Sequence, residues 1–302
     1  MNLCIVKACS ITLVRNASGV VSEIAQYFDY SPKRQRFFEH VIESVSPAAK
    51  KSKLKDLCRT HWVERIDSYL VFYDLYPAIV KAMESISECS SEYGEWSWDS
   101  KSITKANGYI HQLASSEFIV TFLTTMRILS SLRCLTINLQ KKVNDILAAY
   151  DHVSDVQMEF ELLRVNCEEE FHSWFAEIKE FAEKQNTPIR APRIVSRQVH
   201  RDNIPADTPE AYYRRNLLLP FLDHICSEMQ ARFGPIHQTK IKLLGLIPSL
   251  AEKCSSESVK QVGELYKDDL PSPHLLSTEF SRWKMKFQSV PSHKRPSIIA
   301  ML

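Results

Sequence analysis

Apolar residues recur at three- and four-residue spacing along most of this chain and almost never at alternate positions, so the pattern predicts an all-α fold. Ser31-Pro32 reads as a helix start, with Phe37, Phe38, Val41, Ile42 and Val45 forming the stripe that follows. From Trp62 the stripe runs through Ile66, Tyr69, Leu70, Tyr73, Tyr76, Ile79, Val80 and Met83, with Pro77 expected to kink the helix. Asp99 is placed to cap a helix through Tyr109, Ile110 and Leu113. Phe118, Phe122, Met126, Leu129 and Leu132 define the next. The window 118–135 is the most apolar of the chain, yet Arg127 and Arg133 lie inside it. An arginine costs roughly 2.5–3.5 kcal/mol at a bilayer centre, so the window predicts a buried helix and no membrane partner.

The longest stripe runs from Val143 to Phe181 through Val153, Val156, Phe160, Leu163, Phe171 and Trp174, and predicts one amphipathic helix over 143–183. It fits a coiled-coil seam or a spine buried among neighbouring helices. Its aromatic content favours the spine. Prolines at 188, 192, 205 and 209 break the pattern. Thr208-Pro209-Glu210 restarts it, and Tyr212, Tyr213, Leu217, Leu218, Phe221 and Ile225 form the new stripe. A further break at 268–273 precedes a short helix around Phe280 and Trp283, and the segment after Val290 reads as loose. The breaks divide the chain into 1–186, 187–209, 210–270 and 271–302.

Composition narrows the chemistry. With 38 basic and 36 acidic residues among 302, the whole molecule does not read as a polyanion binder, and nucleic-acid contact would have to come from local patches. Only six glycines are present, with no GxGxxG and no GxxxxGK[ST], which argues against a nucleotide cofactor. Eight cysteines are scattered without a CxxC pair, a pattern of free thiols in a reducing compartment rather than a zinc site. The expected localisation is nuclear or cytoplasmic. No GxSxG elbow marks a nucleophile.

Two basic patches stand out. Lys50, Lys51, Lys53 and Lys55 lead into Arg59 and Arg65, and Arg190, Arg193, Arg197 and Arg201 fall in a stretch without an acid. Either could follow a phosphate backbone, and either could be a solvated loop.

The segment 54–69, LKDLCRTHWVERIDSY, resembles the Thr-Arg-Trp signature in the helical insertion domain of hAT-superfamily DNA transposases and the host proteins domesticated from them. Residues 2–9, NLCIVKAC, and 14–35 resemble family sequence just downstream of the second catalytic aspartate. The resemblance implies the insertion domain of a ribonuclease-H-like enzyme, in two helical parts around the 187–209 connector, with 271–302 returning toward the catalytic core. Such enzymes use two aspartates and a glutamate to hold two metals about 3.5–4 Å apart. Neither aspartate can be matched here. Glu279 is the candidate third carboxylate, and one carboxylate builds no two-metal site. No cofactor is therefore expected, and a divalent metal only if a catalytic core lies upstream.

Trp62 matches the family tryptophan that holds a displaced base, although His61 stands where the family usually shows Arg. It also fits a core anchor at a helix start. Among host proteins the likeness runs to transposase-derived nuclear proteins bearing an N-terminal zinc-coordinating THAP finger. The implied function is that of a catalytically inactive protein- or DNA-interaction module, with DNA, another protein or a second copy as partner. The alternative is an internal fragment of an active metal-dependent transposase.

Overall fold

A computed structural model describes residues 7, 9–49, 51–57, 62–140, 146–192, 204, 206–234 and 246–295. The protein is all-α, with no strand among the described residues. Its chain divides into two compact units, Met1–Gln140 with Met158–Glu228, and Lys141–Gln157 with Met229–Leu302.

The larger unit opens with an interlocked helical hairpin. Helix α1 (Thr12–Asp29) ends beside Ser31, which accepts a hydrogen bond from the Arg34 amide, and Pro32 starts α2 (Pro32–Val45) with its ring-fixed φ. Phe28 stacks on Phe38 at 4.2 Å across the turn. Arg34 donates to the Tyr27 carbonyl at 2.6 Å and to Ser102 Oγ at 3.1 Å, and Tyr27 donates to the Ser102 carbonyl at 3.0 Å. Ser102 lies in α5 (Ser100–Leu113), whose cap Asp99 accepts from the Ser102 amide at 3.2 Å as its residue type predicts. Asp99 and Arg34 thus fix the same turn of α5 against the hairpin.

Between them run α3 (Trp62–Asp74) and α4 (Tyr76–Glu88). The expected kink is present: Leu75 separates the two helices while its N–H still donates to the Val71 carbonyl and its carbonyl accepts from the Ile79 N–H, and Pro77 sits in the first turn of α4, where its missing N–H costs nothing. Helix α6 (Ser116–Gln140) occupies the middle of the unit, with α1, α3, α5 and α8 (Cys167–Lys184) packed on it. Its segment Ser116–Leu135 is long and apolar enough to cross a membrane by length and composition, and is 67% buried inside the protein. Phe122 is the hub. It meets Tyr69, Phe72 and Phe118 at ring distances of 5.5, 5.3 and 5.6 Å. The burial comes with a defect, because the Thr121, Thr124 and Thr125 hydroxyls are enclosed without a hydrogen-bond partner.

The single helix expected over 143–183 is two helices, α7 (Ile146–Val165) and α8, with Asn166 between them. Asparagine is a weak helix former, and the Glu168-Glu169-Glu170 run that follows favours a helix N-terminus, where carboxylates meet the positive end of the dipole. Backbone bonds continue on both sides, Asn166 N–H to Leu162 and Glu170 N–H to Asn166, so the break is a bend. The next helix starts where expected, with Thr208 capping α9 (Pro209–Tyr213). It passes through a π turn at Arg214–Leu218 into α10 (Leu219–Phe233). Arg164–Asp223 (2.5 Å), Glu168–Arg214 and His172–Glu210 (3.0 Å) tie this helix antiparallel to the α7–α8 pair.

The smaller unit contains α11 (Ser256–Leu265), capped by Ser255, and α12 (Leu276–Gln288). Ala251, Cys254, Val259 and Phe280 form its core, with Leu246, Leu276 and Trp283 against them. Trp283 donates to the Leu246 carbonyl at 3.0 Å, and Lys284 to the Cys254 carbonyl at 2.8 Å. The stretch after Val290, expected to be loose, carries a 3-10 turn at Ser292–Lys294. Arg295 holds it through the Val290 carbonyl at 2.7 Å and Glu252 at 2.8 Å.

Candidate functional site

The residues expected to touch nucleic acid separate in the structure. Trp62 opens α3, but the placement of its side chain lies outside the described residues, as do Arg59, Arg193, Arg197 and Arg201. Arg65 is half-buried one turn before Tyr69, near enough to the Cys9 thiol to oppose the effect of burial on it. Arg190 is exposed, and its backbone is held at both ends: the amide donates to Ser116 Oγ, and the carbonyl accepts from Tyr213 Oη, each at 3.0 Å. The start of the connector is therefore anchored at the N-terminus of α6. Asp67, two residues past Arg65, pairs with Arg133 at 3.0 Å. Residues 116 and 133 are about 25 Å apart along a helix rising about 1.5 Å per residue, so Arg65 and Arg190 flank opposite ends of α6 and do not converge.

The lysine loop has a defined seat. Leu54 and Leu57 are buried, while Lys51, Lys53 and Lys55 are exposed. Asp56 clamps the loop to α1, accepting from Ser22 Oγ at 2.5 Å, Gln26 Nε2 at 2.9 Å and the Leu57 amide at 2.7 Å. Asp29 sits 3.9 Å from Lys53, and Lys51 and Lys55 are exposed beside it.

A groove that the sequence reading missed lies on the larger unit between α3, α6 and α8. It has a volume of about 260 Å³, with walls including Tyr73, Leu123, Met126, Trp174, Ile178 and Phe181. Tyr73 stacks on Phe181 at 5.5 Å. Arg127 lies over the Trp174 ring at 4.9 Å and bonds Glu177 at 2.7 Å. The rim charge is thus neutralised, and the groove offers aromatic surface to an apolar or planar group. Trp174 and Phe181 stand seven residues apart on one helix face, a signal legible in the sequence; the approach of α6, some fifty residues away, was not.

Among the described residues, no group of three His, Cys, Asp or Glu side chains is arranged to hold a metal. Glu279 is exposed in the first turn of α12, where a carboxylate complements the helix dipole. Burial pushes the Cys9 thiol up to about 12 against the pull of Arg65, and burial also raises Cys226, so these thiols are protonated and weakly nucleophilic near neutrality.

The described residues thus form a helical protein whose larger unit carries an anchored lysine corner and an aromatic groove. No protein-family model matches the chain, and no solved structure matches it. Two mammalian proteins do. Over 292 residues it is 26% identical to the human protein named "52 kDa repressor of the inhibitor of the protein kinase", an alignment covering 95% of this chain and 38% of the relative. The mouse protein of the same name is 25% identical over the same length and shares. Similarity across nearly the whole chain marks a distant homology. The chain spans 38% of the length of the curated relatives it matches.

Proposed function

We propose that this chain is a helical interaction module of a hAT-transposase-derived regulatory protein, acting by binding rather than by catalysis. The observation that carries the reading is the homology over 95% of the chain to proteins named for repressing a protein-kinase inhibitor. The all-α fold fits the insertion domain that the 54–69 segment resembles. The anchored lysine loop and exposed Arg190 support a second reading, in which the module follows a phosphate backbone and works in the nucleus.

One experiment tests both. The purified chain is titrated against the inhibitor for which the mammalian relatives are named, and separately against duplex DNA over a range of salt. The interaction reading expects saturable binding to the inhibitor that changes little with salt. The DNA reading expects binding that falls steeply with salt and weakens when Arg190, Arg193, Arg197 and Arg201 are changed to Ala. No binding to the inhibitor at high micromolar concentration would overturn the kinase-regulatory role.

A further inference from the structure

Helix α7 carries apolar side chains on two opposite faces, and only one of them is covered. Phe160 is buried at 1% exposure, continuing the stripe through Val153 and Val156. On the other side Met158, Leu162 and Val165 are 59, 60 and 78% exposed. At 3.6 residues per turn these three fall within an arc of about 60°, and Phe160 points about 160° away from Leu162. Their four-then-three spacing is that of a helix–helix seam. A helix apolar on both sides is expected in a fully enclosed position, so this face is built for a partner.

Charge identifies the partner. Exposed Glu159 flanks the stripe, with exposed Glu169 and Glu170 just beyond the bend. The nearby cation, Arg164, is held by Asp223 at 2.5 Å, and His172 sits 3.0 Å from Glu210. A second copy of the chain would set acidic flank against acidic flank. We propose that Met158, Leu162 and Val165 form a docking face for an amphipathic helix of a partner protein, with apolar residues at four-and-three spacing between Lys or Arg flanks. The recognition mode is helix on helix, with apolar knobs giving affinity and the acidic flanks selecting a basic partner.

The proposal deepens the interaction reading and rests on it, yet it fails separately. The probes are two stapled synthetic helices with leucines at four-and-three spacing, one with lysine flanks and one with glutamate flanks, titrated against the full chain by fluorescence anisotropy. The lysine helix should bind at least about tenfold tighter than its glutamate twin and weaken as salt rises. Leu162→Asp and, independently, Val165→Asp should each weaken it by at least about tenfold. Both side chains are exposed, so circular dichroism should be unchanged. Met285→Asp, at an exposed apolar residue of α12, should leave binding intact. Equal binding of the two helices, or insensitivity to both substitutions, overturns the proposal. So does a dimer in sedimentation that Leu162→Asp dissolves, since a second copy would then be the occupant. A Leu162→Asp chain that binds the kinase inhibitor as the wild type does removes this face while leaving the interaction role standing.

Discussion

Removing the Phe122 ring tests whether the larger unit rests on α6. Phe122 is fully enclosed, with Tyr69, Phe72, Tyr76 and Phe118 around it at ring distances of 5.3 to 6.3 Å. A buried Phe→Ala change costs about 3–5 kcal/mol through lost transfer energy and the cavity left behind. The four neighbouring rings form one cluster, so their pair energies do not add independently, and the upper half of that range is the appropriate expectation. In urea, with a slope of about 2 kcal/mol/M, the midpoint of unfolding should fall by about 2 M. Phe122→Leu keeps most of the volume and should cost about 1–1.5 kcal/mol. The measurement is a urea titration followed by circular dichroism at 222 nm. A midpoint shift below about 0.5 M for Phe122→Ala would show that the cluster does not support the unit, and the central role assigned to α6 would fall.

Two further outcomes follow from buried polar groups. Burial holds the Cys9 thiol protonated up to about 12 against an ordinary 9.0, so stability from this group is complete below pH 9 and drains away as pH rises toward 12, because the unfolded chain ionises first. The loss should be on the order of 2–3 kcal/mol by about pH 11, and Cys9→Ala should flatten that part of the urea-midpoint profile; an unchanged slope would place the loss elsewhere, Tyr27 being the next group pushed up to about 12 by burial. Thr125 is fully buried with its hydroxyl unpartnered, so Thr125→Val should raise stability by roughly 1 kcal/mol in thermal unfolding, and a destabilised variant would mean that the hydroxyl is satisfied in solution.

Much of the fold was legible because local chemistry marks helix ends. Ser31, Asp99 and Thr208 cap where their residue types and following positions indicate, and the helix bends within one turn of Pro77 as expected. Asn166 was not legible. The apolar repeat carries on in phase from Phe160 to Phe171, so periodicity alone hides a bend produced by one weak helix former and three following carboxylates. The same repeat obscured the docking face: counting Val153, Val156 and Phe160 as the stripe accounts for the helix, and Met158, Leu162 and Val165 then look like ordinary interruptions. The Arg127–Trp174–Glu177 rim was hidden for another reason, since it depends on how α6 and α8 align, and that is a tertiary outcome. Arg65 and Arg190 were read as parts of two separate basic patches. The distance at which α6 holds them apart is again a tertiary outcome.

The larger unit is assembled from two stretches of chain, with residues 141–157 assigned to the other unit in between. A ribosome releasing this polypeptide from its N-terminus therefore exposes α6 before α8 exists to cover it. From residue 140 to residue 184, at about 5–20 residues per second, the interval is roughly 2–9 s. For that time one side of a helix apolar enough to pass for a membrane segment stays uncovered. A holdase chaperone that binds unfolded chains would find its window here, and slow codons placed between α6 and α8 would lower the yield of folded protein by lengthening it.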